Sequence, residues 1–80
     1  MLQQDIHIGI LIKNKFREDG RSASCLAEKI HCRRDNIYDI FGRVSIDTAL
    51  LLSISLALET NFFEYFHEKY KITITKIENT

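Results

Sequence analysis

Eighty residues make one domain, because domains run from ~50 to ~250 residues and a second core would not fit in this length. At 45% hydrophobic and 28% charged, with three Gly and no Pro, the composition is that of an ordinary globular chain and excludes a disordered or low-complexity one. The formal net charge is zero, yet residues 1 to 44 hold eight Lys/Arg against six Asp/Glu while residues 45 to 80 hold three against five. Phosphate binding leaves a basic footprint, so any nucleic-acid-facing surface belongs to the first half.

Taken in chain order, Ile8, Leu11, Ile12 and Phe16 recur at three- and four-residue spacing and predict a first helix with one apolar face. It should stop near Asp19-Gly20, where glycine supplies the left-handed backbone favoured just past a helix end. Ser22 or Ser24 can cap a second helix of about two turns, with Leu26, Ala27 and Ile30 inward. After a break at His31-Cys32, a third helix carries Ile37, Ile40 and Phe41 inward and Arg34, Asp35, Tyr38 and Asp39 outward, and Gly42 closes it. A fourth helix, capped by Ser45 or Asp47, directs Leu50, Leu51, Ile54, Ala57 and Leu58 to the core. Asn61 caps a shorter fifth one, with Phe62, Phe63 and Phe66 behind it.

At residues 71–77 the pattern Lys-Ile-Thr-Ile-Thr-Lys-Ile alternates with period two and suits a β-strand. The expected division is therefore residues 1–70 as the folded domain and 71–80 as a tail. That tail is frayed, docked on its own domain or paired with its copy in a second subunit, since one strand alone is not stable.

Helix, tight turn and helix from Ala23 to Phe41, with Leu26-Ala27, His31, Cys32, Arg33 and Ile37 at their places, resemble the helix-turn-helix of the phage repressor and Cro family, the lambda-repressor-like domains. The likeness extends back through Ile8-Gly9 and Ile12 and forward through the Leu-rich fourth helix to Phe62-Phe63, about residues 8 to 66. Two positions depart from the family pattern. His31 stands where glycine is usual because the turn needs a positive φ, and Ala23 stands where a glutamine often reaches the DNA backbone.

The resemblance implies an all-α, five-helix lambda-repressor-like domain that binds double-stranded DNA as a regulator of transcription, a repressor, and acts as a homodimer on an inverted repeat. It implies that residues 33–41 enter the major groove. Arg34 then offers a bidentate pair to guanine, Asn36 matches adenine, Asp35 accepts from cytosine or orients Arg34, and Tyr38 reaches a thymine methyl or a phosphate. Arg33, Arg43, Ser45, Ser24, Lys13 and Arg17 are the candidates for phosphate contacts, which position without reading sequence.

Against this stand Asp35 and Asp39, which repel phosphate and suit a third helix that meets protein instead of DNA. A non-DNA interaction module on the same fold is the second reading. His7, His31 and His67 lack metal-site spacing, Cys25 and Cys32 read as small buried hydrophobes without zinc spacing, and no nucleophile, phosphate-loop or paired-carboxylate motif is present. Neither an enzyme, a metal, a cofactor nor a small-molecule substrate is expected. No apolar run approaches the ~20 residues that span a bilayer, and residues 1–15 lack a signal-peptide pattern, so a cytoplasmic protein without membrane contact is expected.

Overall fold

Five helices, α1 (Ile8–Asp19), α2 (Ala23–Lys29), α3 (Arg34–Phe41), α4 (Thr48–Ala57) and α5 (Phe63–Glu78), follow one another in the computed structural model, which describes residues 6–78. No strand occurs among the described residues, and the all-α, five-helix architecture expected from periodicity is the one found.

Local chemistry accounts for where each helix begins and ends. The His7 imidazole Nδ1 accepts from the Ile10 amide, the Ser22 hydroxyl from Cys25 and the Asp47 carboxylate from Leu50, so three helix starts carry a side-chain cap. Of the paired cap candidates, Ser22 rather than Ser24 and Asp47 rather than Ser45 serve. Asn61 Oδ1 accepts from the Phe63 amide at the start of α5, 3.1 Å away. Gly20, with φ 77°, ends α1 by donating its amide to the Phe16 carbonyl.

One core draws on every helix up to the start of α5. Ile8 and Ile12 of α1, Leu26 and Ala27 of α2, Ile37 and Ile40 of α3, and Leu51, Ile54, Ala57 and Leu58 toward and past the end of α4 are buried, as is Phe62. The small Ala23 and Ala27 are buried, which lets α2 approach α3 closely. Cys25 and Cys32 sit half-buried at the edge of this core as free thiols.

Two clasps hold the elements in register. At the first, the Ile8 and Gly9 amides at the start of α1 donate to the Val44 and Arg43 carbonyls beyond α3, each at 2.9 Å. A Cβ on Gly9 would stand 2.5–2.6 Å from the carbonyl oxygens of Ile40, Phe41 and Arg43, so only glycine allows this approach. At the second, Arg21 in the α1–α2 loop donates through Nη1 to the Ala57 carbonyl at 3.0 Å while its Nε lies 2.7 Å from Asp19 Oδ2. Its Nη2 reaches Glu59 at 3.5 Å, so this one side chain ties the end of α1 to the end of α4.

The expected C-terminal strand is not there: residues 71–77 continue α5 as helix, while Asn79 and Thr80 lie outside the described residues. The physical reason is backbone satisfaction. A lone strand leaves its amides and carbonyls unpaired, whereas a helix pairs them internally, and no Pro or Gly interrupts the chain after Gly42. Thr75 Oγ1 donates to the Lys71 carbonyl at 2.8 Å, so a β-branched residue is accommodated by bonding back one turn. The described chain measures 48 × 21 × 21 Å, with a radius of gyration of 14.2 Å against about 12 Å for a compact domain of this length. A rod of sixteen residues, about 24 Å long, fits that long axis.

Candidate nucleic-acid interface

The turn between α2 and α3 is the C-terminal cap of α2. Its amides close two bonds backward, Cys32 to the Ala27 carbonyl at 2.9 Å and His31 to the Glu28 carbonyl at 3.3 Å, the paired pattern known as a Schellman motif. His31 stands in the left-handed region with φ 57°, the conformation that its turn position was expected to need. Glu59 takes the same conformation, φ 51°, where Thr60 and Glu59 close the end of α4 on the Ser55 and Leu56 carbonyls. Arg33 then begins α3 in extended backbone, with no side-chain cap.

With a residue every 100° around α3, Ile37 and Ile40 point inward and the exposed side chains fall into strips. Arg34 and Tyr38, four apart, form the strip that leads toward Phe41 and α1. Asp35 and Asp39, also four apart, form the neighbouring strip, farthest from the core, and Asn36 lies on the opposite flank. Arg33, Arg34, Asp35, Asn36 and Tyr38 are all exposed. The Arg33 and Arg34 guanidinium groups have no ion-pair partner among the described residues. Arg43, by contrast, places Nε and Nη2 3.1 and 2.7 Å from Asp39 Oδ2, so the cation past the end of α3 neutralises the more distal of the two acids.

The remaining candidates fall in three places. Ser24 is exposed in the first turn of α2, and Ser45 is exposed in the segment between α3 and α4. Lys13 and Arg17, one turn apart on α1, border an open groove of about 440 Å³ together with Phe16, Tyr38, Phe41 and Gly42. Its rings interlock: Phe16 and Phe41 have centroids 5.3 Å apart, and Tyr38 meets Phe41 edge-on at 5.9 Å. Structure therefore gathers Lys13, Arg17 and Tyr38 into one place, and leaves Ser24 and Ser45 apart from that groove.

Sequence reasoning passed over Arg21 and Asp39–Arg43 as linkages. The second was readable, because an acid four residues before an arginine on a helix pairs across one turn. The first depends on a loop side chain that reaches 36 residues along the sequence, which no local pattern announces. At Cys32, burial raises the thiol pKa above its ordinary value, which disfavours the reactive thiolate. Among the described residues no group of three or more His, Cys, Asp or Glu gathers as a metal site, and no helix is long and apolar enough to cross a membrane. No family model, curated protein or solved structure matches the chain.

Proposed function

We propose that the chain is a sequence-specific double-stranded DNA-binding domain, a transcriptional repressor that inserts α3 into the major groove. The observation that carries this reading is the α2–α3 pair. Its turn is a left-handed cap at His31, and its second helix begins with exposed Arg33 and Arg34, which have no ion-pair partner among the described residues, followed by Asn36 and Tyr38. Two helices so joined offer the N-terminal turn of the second to base edges while the first crosses the backbone. The resemblance of residues 8 to 66 to lambda-repressor-like domains supports the same assignment. In it Arg34, Asp35, Asn36 and Tyr38 read bases, while Arg33, Arg43, Ser45, Ser24, Lys13 and Arg17 meet phosphates.

The reading includes a homodimer, with one α3 in each half-site about 34 Å apart on the duplex. Tyr65, Tyr70, Ile72 and Ile77 are exposed apolar residues on α5, and apolar side chains in such number support a subunit contact along that helix. The reading assigns no catalytic step to the chain.

Selection of bound duplexes from a random pool tests the assignment. The chain should enrich a short inverted repeat, and Arg34→Ala should cost ~1–3 kcal/mol at one base position. Enrichment that survives both Arg34→Ala and Asn36→Ala would sink the base-reading roles.

One observation favours a second reading, that of a protein-interaction module. Asp35 and Asp39 occupy the strip of α3 farthest from the core, which a phosphate-facing helix would hold free of acids. Absence of salt-sensitive duplex binding at ~50 mM salt would select this reading over the first.

A further inference from the structure

The groove between α1 and α3 has a chemistry that contact with DNA does not require. Its floor is aromatic, built from Phe16 and Phe41, with Tyr38 as one wall, and its polar rim consists of the cations Lys13 and Arg17. Among the described residues no carboxylate lines it. Neither cation has an ion-pair or hydrogen-bond partner among the described residues, whereas Arg21 and Arg43 are held by acids. Tyr38 is 54% exposed, so more than half of this residue is open to solvent at the groove. At about 440 Å³ the groove lies within the ~300–1,000 Å³ span of small-molecule sites.

We propose that this groove binds a small planar aromatic anion, whose ring packs on Tyr38 and Phe41 while its carboxylate or phosphate meets Lys13 and Arg17. Apolar rings favour a flat hydrophobic body by area and by edge contacts, and the two unpaired cations favour a negative group at its end. An aliphatic anion lacks the first interaction and a neutral ring the second, so the site demands both in one molecule. The site itself does not depend on the DNA reading. One consequence does rest on it: Tyr38, Lys13 and Arg17 are also offered to DNA there, so a bound ligand would displace the duplex and act as an inducer.

The test is a titration of the full chain, without DNA, with naphthoate, followed by proton–nitrogen correlation spectra. Cyclohexanecarboxylate supplies the charge without the ring, and naphthylmethanol the ring without the charge. A ligand of this size in an open groove should saturate at about millimolar concentration. The expected shifts lie at residues 13–17 and 38–42, and binding weakens about tenfold for each control compound and for the Lys13→Ala/Arg17→Ala pair. Lys13→Gln/Arg17→Gln, which keeps the side-chain stems, replaces the alanine pair should that disturb α1. Shifts scattered over the surface, equal binding of the aliphatic acid, or unchanged binding by the folded double variant would each overturn the site. Failure of duplex binding alone would remove only the inducer role, because the titration contains no DNA.

Discussion

The head formed by α1 to α4 and the distal half of α5 obey the same helical rules but are held by different means. In the head, side chains from four helices and Phe62 share one core, and backbone contacts at Gly9 and the Arg21 clasp fix the helices against one another. Past Phe66, Lys69, Thr73 and Ile74 of α5 are half-buried, while Tyr70, Ile72 and Ile77 are exposed. The first region owes its geometry to tertiary packing. The second is helical because its own backbone bonds close. The packing and backbone bonds that hold α3 in place therefore lie in the head.

The largest effect should follow from breaking the head at Gly9. Gly9→Ala drives a methyl group into three carbonyl oxygens, and a loss of about 3 kcal/mol or more is expected in denaturant unfolding. If Gly9→Ala unfolds like the wild type, the α1–α3 clasp is not what holds α3. Next comes Arg21→Ala, which removes the bond to the Ala57 carbonyl and the pair with Asp19; about 1–2 kcal/mol should be lost. Arg21→Lys should show the same loss, since lysine cannot reach both partners in that arrangement, and a full rescue by lysine would contradict the forked geometry.

The head can also be sharpened. His31→Gly relieves a left-handed φ on a residue with a Cβ and should raise stability by ~0.5–1 kcal/mol, read as an increase in the unfolding midpoint. The smallest effect belongs to α5. Ile72→Lys should shift the stability of the head by less than ~0.5 kcal/mol, because the side chain is exposed. Solution mass measured on the same variant, and on the chain ended after Tyr70, separates stability from association. A dimer that persists unchanged in both excludes the distal half of α5 as its contact.

These contrasts also show what the sequence made legible. Leu26, Ile37, Ile54 and their partners repeat at helical spacing over whole turns, and Ser22, Asp47 and Gly20 punctuate them, so the number and order of the helices could be read. The positive φ at His31 was legible from its place in the turn. Residues 71–77 misled because alternating Ile and Thr satisfy a period of two, while the deciding term, the backbone bonds of a helix already running from Phe63, is invisible in side-chain pattern. At the site, the outward set on α3 was legible, but the groove was not. Tyr38 lies more than twenty residues from both Lys13 and Arg17, and the close approach of α1 to α3 at Gly9 brings them together.

The most direct test of DNA recognition by α3 is the slope of log affinity for the selected duplex against log salt, compared between wild type and Arg33→Ala. Each neutralised phosphate contributes about −0.9 to that slope, so the variant should bind every sequence more weakly with a slope flatter by about one. Identical slopes, or no duplex binding by the wild type at ~50 mM salt, would contradict the assignment of α3 to DNA.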